Sequence, residues 1–405
     1  MKIAEINMLH NGSTGKIMLG IAERARKEGH DVKTFSPIVY IRHGKMQKKE
    51  IEHHTYFGYE FENALHIVLA ELTGFQGCFS YFGTRHLIKN LKKFNPDVIH
   101  LHNLHNRCIN IPMLFSYIKK NKIKTVWTLH DCWSFTGQCP YFTMVKCDKW
   151  KSGCNHCVQT KEYLKTYVDQ TRLMWKLKKK WFTNIEDMTI ITPSVWLANL
   201  VKQSFLKEYD VKVINNGIDL NIFKPEDSLF REKYNIENKF IILGVAFDWG
   251  KRKGLDVFVE LANILDDKFQ IVLVGTTSMD DEILPDNIIS IHQTNNQTEL
   301  AQIYSTANVF IIPTREDNYP TVNMESIACG VPVISFNTGG SPEMINKKTG
   351  IVVPCNDLVA TKEAIMKIYN EPYNYRKNYC LNEARKFDMN DRFKEYVVLY
   401  EENKD

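Results

Sequence analysis

An alternation that runs almost from end to end constrains this chain most. Short runs rich in β-branched and aromatic residues are each followed by a longer segment with helical spacing of apolar residues. A strand that meets the next strand only after a helical crossover must pair with it in parallel, so the pattern predicts α/β architecture with parallel sheets. In the N-terminal half the runs are KIAEINM, DVKTFSP, DVIHLHN, KTVWTLH and MTIITPS; in the C-terminal half they are KFIILGVAF, FQIVLVG, IISIHQ, NVFIIPT and VPVISF. Between the halves lies VINNGIDLNIFKPED, Val213 to Asp227, whose Asn, Gly, Asp and Pro content reads as a turn-rich connector. The expected division is a first domain over 1–213, a linker over 214–227 and a second domain over 228–387. The closing segment, 388–405, is helical in pattern and is expected to pack back on the first domain. Two domains also suit a length of 405 residues, which exceeds what one core usually fills.

Composition narrows the class. Hydrophobic residues make up 44% and charged residues 24%, ordinary for a water-soluble globular chain, and a net charge of +5 falls short of a dedicated nucleic-acid binder. The chain starts directly in a strand-like segment, without the apolar stretch and cleavage site of a secretory signal, and no run approaches the roughly eighteen apolar residues of a spanning helix. These features predict a cytoplasmic protein whose ten cysteines are thiols or metal ligands.

The stretch TREDNYPTVNMESIACGVPVIS, Thr314 to Ser335, concentrates the chemistry. NVFIIPT reads as a buried strand and PTVNMESIAC as a helix, with Pro320 suited to its first turn and Gly330 to the position after its end. Residues 315–319 then form the loop at a strand's carboxyl end, where open α/β sheets bind ligands. Asp317 falls on that loop and Glu325 inside the helix. Carboxylates beside a helix N-terminus suit a ligand with both hydroxyls and a diphosphate, since hydroxyls need acceptors and phosphates need donors. Downstream, NTGGSPEMI predicts a second strand-to-helix turn, with Gly339 and Gly340 permitting close backbone approach and Pro342 in a first helical turn.

An acid, seven intervening residues and a Glu, followed by ACGVPV and a Gly-Gly turn, resembles the signature of the retaining family-4 glycosyltransferases of GT-B fold, and within them the bacterial capsule and exopolysaccharide transferases. The NGID linker, the N-terminal glycine loop and the TLHD segment extend the resemblance over nearly the whole chain. It implies two Rossmann-like domains facing across a cleft, with the donor held mainly by the second. Glu325 would hold the nucleotide ribose hydroxyls and Asp317 would sit at the donor sugar, with Glu316 one residue out of register and Asn318 and Tyr319 completing the donor loop.

In GVAFDWGKRKGLDVF the family's usual arginine, six residues before the lysine that matches Lys253, is replaced by Phe247. Arg252 is expected to supply the lost guanidinium, making Arg252 and Lys253 a clamp for the departing diphosphate, while Lys251 faces solvent. Gly12 and Gly15 in HNGSTGKI mark the first strand-to-helix turn, resembling the loop whose amides face the diphosphate. His130, at the end of VWTLHD, is expected beside the donor sugar and acceptor. His100, His102 and His105 read as polar cleft or core residues, with no further carboxylates at ligand spacing.

One irregular stretch, CWSFTGQCPYFTMVKCDKWKSGCNHC, holds Cys132 and four further cysteines near 132–157. Cys139, Cys147, Cys154 and Cys157 are candidate ligands of a structural zinc, with buried thiols or disulfides as the alternatives. The segment Thr160 to Phe182 sets Lys161, Lys165, Arg172, Lys176, Lys178, Lys179 and Lys180 against only Glu162 and Asp169, with Trp175, Trp181 and Phe182 interleaved. It reads as an amphipathic helix for peripheral contact with an anionic membrane or as a solvated basic face.

The expected activity is transfer of a hexose-type sugar from a UDP- or GDP-linked donor to an acceptor hydroxyl, with retention and no catalytic metal or other cofactor. The implied acceptor is a glycan or a polyprenyl-diphosphate-linked sugar in surface polysaccharide synthesis. A GT-B nucleotide-sugar epimerase would share the donor site. An RNA-binding module built on the cysteine loop is opposed by the modest charge and the missing aromatic RNA-binding motif, so nucleic acid is not an expected partner.

Overall fold

The computed structural model describes residues 1–39, 48–105 and 107–402. The chain forms two compact units, Met1–Asn215 with Phe393–Asp405, and Asn216–Arg392. The N-terminal unit contains β1 (Lys2–Ile6), β2 (Asp31–Pro37), β3 (His54–Phe57), β4 (Val98–Leu101), β5 (Lys124–Thr128), β6 (Met188–Thr192) and β7 (Asp210–Val213). All pair in parallel in the order β3-β2-β1-β4-β5-β6-β7. The C-terminal unit contains β8 (Phe240–Val245), β9 (Phe269–Val274), β10 (Ile288–Ile291), β11 (Val309–Ile312), β12 (Val333–Phe336) and β13 (Gly350–Val353), again parallel, in the order β10-β9-β8-β11-β12-β13.

The β-branched runs explain the sheets. In β8, Ile242 faces one core and Leu243 the other; Ile311 and Phe310 of β11, and Ile334 and Val333 of β12, divide in the same way. A strand buried on both faces has no polar side, which is why these runs are nearly continuous in apolar residues. Strand order reverses direction at β1/β4 in the first sheet and at β8/β11 in the second, and such a switch point opens a crevice at the strands' carboxyl ends.

Three strands fall outside the expected runs. His54–Phe57 and Asp210–Val213 are partly exposed edges with little continuous apolar character, and Gly350–Val353 is a four-residue edge strand. The last helix, Met389–Glu401, starts beside the bridge between Ile218 and Asp388 and carries Tyr396 and Tyr400 into the core of the N-terminal unit.

The 314–335 stretch folds as a strand, a loop, the helix Thr321–Ala328 and a strand. Pro320 takes the N-cap rather than the first turn, and Gly330, at φ +84, follows the helix end. The turn after β12 closes in a single 3-10 turn, Ser341–Met344, instead of the expected α-helix. The basic segment 160–182 is helical only over Thr171–Phe182.

Candidate functional site

In the C-terminal unit the loops leaving β8 and β11 lock together at the switch point. Lys253 Nζ lies 2.6 Å from Asp317 Oδ2, both side chains largely shielded. Arg252 donates from Nη1 to the Glu316 carbonyl at 3.0 Å, and its own carbonyl accepts from the Arg315 amide at 2.8 Å. The third loop joins through Gly339: at φ +57, a Cβ there would stand 1.7 Å from the Asp317 carbonyl oxygen, and the Gly340 amide donates to the Asn318 carbonyl at 2.8 Å. The expected Gly-Gly turn is thus the brace of the acidic loop.

Glu316, Asn318 and Tyr319 are buried, and the Tyr319 carbonyl accepts from Asn216 Nδ2 at 3.4 Å. Glu325 is half-buried on its helix, where the fully buried Tyr304 hydroxyl donates to its Oε2 at 3.2 Å. Burial and the neighbouring Glu325 charge hold the Tyr304 proton far above the ordinary phenol range, so this hydroxyl stays a donor. Arg315, not singled out in the sequence, grips Asp256 with two bonds of 2.8 and 2.7 Å and holds that carboxyl below its usual range. It pins the helix Leu255–Ile264 to the acidic loop. Lys251 is exposed, and Phe247 projects fully into solvent.

In the N-terminal unit Gly12 opens the helix Gly12–Lys27, and a Cβ on Gly15 would meet the His10 backbone at 2.4 Å, so the helix start packs tightly on the strand-to-helix turn. His130 follows β5 and is 9% exposed. Its Nε2 lies 3.1 Å from His102 Nδ1, and His102 Nε2 lies 3.5 Å from Glu5 Oε2. Glu5 and His102 are wholly buried, and among the described residues Glu5 Oε2 and His102 Nε2 have no hydrogen-bond partner. Burial raises the Glu5 carboxyl well above its usual range and lowers His130 to about 4. The 3.1 Å contact between His102 Nδ1 and His130 Nε2 needs one N–H between the two rings, while Glu5 Oε2 and His102 Nε2 face each other without a hydrogen bond.

His100, His102 and His105 are buried polar residues, and carboxylates distant in sequence reach two of them. Glu5 reaches His102 from β1, and Asp131 lies 2.8 Å from His105. Among the described residues, Glu5, His100 and His102 are the group with three potential metal-donor atoms within 4.8 Å of one another. Yet His100 already uses both nitrogens, on Tyr400 Oη at 2.6 Å and Thr128 Oγ1 at 2.8 Å. Two remaining atoms suit proton sharing better than an ion.

Cys139, Cys147 and Cys154 pack in or against the N-terminal core, and the charges of Cys147, Cys154 and Cys157 all bear on Cys139. The Gly137 amide donates to Cys154 Sγ at 3.2 Å. Donor type fits a structural zinc, although among the described residues no three of these thiols share the 4.8 Å spacing. Beside them Lys178, expected on a basic face, is fully buried. Its ammonium donates to the Trp133 carbonyl at 2.7 Å and lies 3.5 Å from that ring's centroid, and burial lowers it to about 7. Trp175 and Phe182 are buried as well. Trp175 and Phe182 thus serve the N-terminal core, whereas Tyr163 and Tyr167 of the same segment are exposed.

Residues 14–222 match the family described as Glycosyltransferase Family 4, and 226–387 match Glycosyl transferases group 1. The chain is 26% identical over 374 residues, 87% of each chain, to the Escherichia coli (strain K12) protein named as a colanic acid biosynthesis glycosyl transferase, WcaC. It is also 26% identical over 219 residues to a Campylobacter jejuni N,N'-diacetylbacillosaminyl-diphospho-undecaprenol alpha-1,3-N-acetylgalactosaminyltransferase, covering 50% of this chain and 57% of that one. The crystal structure of Anabaena Alr3699/HepE in complex with UDP matches at a TM-score of 0.67 and 14% identity, over 98% of this chain and 99% of that one, which shows the shared fold. With two parallel Rossmann-like domains and a family match over more than half its length, the chain belongs to glycosyltransferase family 4 and has the GT-B fold.

Proposed function

We propose that this glycosyltransferase moves a sugar from a UDP- or GDP-linked donor to the hydroxyl of a lipid-linked acceptor, with retention, in bacterial surface polysaccharide synthesis. The observation that carries it is the convergence of Arg252 and Lys253 with the Asp317 loop at the β8/β11 switch point. The names of the colanic acid and undecaprenol-linked relatives support the pathway and the acceptor class.

In this reading the anomeric carbon–phosphate oxygen bond breaks while the acceptor oxygen bonds the same face of the sugar. The acceptor proton passes to the leaving phosphate, so no glycosidase-type carboxylate pair is needed. Arg252 and Lys253 gather the developing charge, fixed in place before the reaction, and no metal is required for that step. Glu325, oriented by Tyr304, accepts from ribose hydroxyls, and Asp317 meets the sugar once the donor phosphates draw Lys253 toward them. His130 is assigned to the reacting centre and the amides after Gly12 to the diphosphate.

The test is incubation of a nucleotide-sugar panel with and without a polyprenyl-diphosphate-linked acceptor, followed by NMR of the product's anomeric configuration. Transfer with retention supports the reading. A rearranged or free sugar formed from donor alone would identify an epimerase, and an inverted linkage would overturn the front-face mechanism.

A further inference from the structure

Helix Glu60–Thr73 is inside out. A surface helix ordinarily turns its apolar stripe to the core and its polar residues to water. Here the inward side chains are Glu62, Asn63 and His66 together with Ala70, while Phe61, Leu65, Val68 and Leu72 are 68%, 54%, 51% and 56% exposed. Each polar residue of the inner face is engaged, though His66 Nε2 has no partner among the described residues. Glu62 accepts from the Phe82 and Gly83 amides at 2.6 and 2.7 Å, Asn63 donates to the Arg107 carbonyl at 2.9 Å, and His66 pairs with Ser80 Oγ at 2.7 Å. These bonds fix the helix's rotation, so the apolar stripe is held outward.

The surroundings say what covers it. Glu62 ties the stripe's helix to the start of helix Tyr81–Phe94, whose exposed Tyr81 and Phe82 extend the apolar surface. Along that second helix Arg85 and Lys89 follow Phe82 at spacings that keep all three on one exposed face. At the stripe's other end the Tyr167 amide bonds the Glu71 carbonyl, Tyr167 is 65% exposed, and Lys165 lies 4.8 Å from its ring centroid. Apolar and aromatic side chains are thus flanked at both ends by cations, with Glu60, Glu162 and Asp169 the exposed acids nearby in sequence, and Asp169 already accepts from the Cys157 and Thr171 amides. A second protein copy would bring the same cations against each other. A layer with an apolar interior and negative headgroups matches both parts.

We propose that Phe61, Leu65, Val68 and Leu72, with Phe82 and the cations Arg85, Lys89 and Lys165, dock this chain on an anionic lipid surface. The surface stands on its own geometry and gives a lipid-linked acceptor a place to be met. The test is flotation of the full chain with phosphatidylcholine vesicles, with and without phosphatidylglycerol. Binding is expected to require phosphatidylglycerol and to weaken with salt. Leu65→Glu with Leu72→Glu, and separately Arg85→Glu with Lys89→Glu, should each lower the bound fraction about tenfold or more, given about 1 kcal/mol per cation near such a surface. Because these positions are exposed, melting temperature and the thermal shift on adding donor should stay as in the unsubstituted protein, which separates failure of docking from failure of the transferase reading. No binding to phosphatidylglycerol vesicles, or binding by either double variant equal to that of the unsubstituted protein, overturns the proposal. So does concentration-dependent dimerisation that the Leu65→Glu, Leu72→Glu pair abolishes, since the face would then belong to a second copy.

Discussion

Lys253 Nζ and Asp317 Oδ2 are 2.6 Å apart, so the cation assigned to the diphosphate and the acid assigned to the sugar neutralise each other before a donor arrives. The pair spares both groups the cost of burial alone. A donor diphosphate can take over the lysine and release the carboxylate to the sugar hydroxyls.

Arg252→Ala and Lys253→Ala should therefore lower turnover far more than Lys251→Ala. Removing one aimed electrostatic donor costs on the order of 3 kcal/mol, roughly a hundredfold in rate. Lys251 is exposed and should change little. Steady-state assays of the three variants decide it, and equal mild losses at all three would reduce the cluster to a solvated loop.

Glu325→Gln should weaken donor binding by about 1.5 to 3 kcal/mol, because a neutral amide is a poorer acceptor for ribose hydroxyls than a carboxylate. Tyr304→Phe should weaken it less, about 1 kcal/mol, since it removes a bond that orients Glu325 rather than the acceptor itself. Titration calorimetry with donor gives both numbers; unchanged affinity in folded Glu325→Gln removes the ribose assignment.

Protein purified without chelator is expected to carry roughly one zinc per chain, held by Cys139, Cys147, Cys154 and Cys157. A zinc thiolate group is net negative and would give buried Lys178 the counter-charge that no ion pair supplies among the described residues. Chelation should lower the melting temperature while activity without added magnesium persists. Elemental analysis showing no zinc would leave the four thiols as core residues.

Much of the donor loop was legible because its signals are local. Asp317 and Glu325 sit eight apart around one strand-loop-helix turn, and Gly330 and Gly339 take the positive φ their positions suggest. What stayed hidden depends on distant partners. Glu5 lies near Tyr400, 395 positions away, through contacts no spacing reveals. The spacing of Phe61, Leu65, Val68 and Leu72 shows an apolar stripe but not which side faces water; that is decided by the bonds of Glu62, Asn63 and His66 to remote loops. Lys178 looked like one cation among many because its Trp133 partner comes from another segment.

The buried histidines predict acid sensitivity confined to one unit. Burial lowers His66 and His100 to about 3 and His54 and His130 to about 4, and pushes His102 down as well. All lie in the N-terminal unit. Their folded values fall below the ordinary 6.5, so between pH 6.5 and about 4 the unfolded chain takes up protons that the folded unit refuses. Stability is therefore present above 6.5 and lost as pH falls, by about 1.4 kcal/mol per pH unit for each fully refused proton. Glu5, raised by burial, works the other way above its unfolded value and offsets one of them. Trp127, Trp133, Trp150, Trp175, Trp181 and Trp196 belong to the same unit, with Trp249 in the other, so tryptophan fluorescence follows the sensitive part. Denaturant midpoints read this way should fall steeply from pH 6.5 to 5. His66→Asn, which keeps a polar partner for Ser80, should make the fall shallower by one proton. A midpoint flat over that range would mean that the folded unit takes up these protons as readily as the unfolded chain, and burial would not be what keeps these histidines neutral.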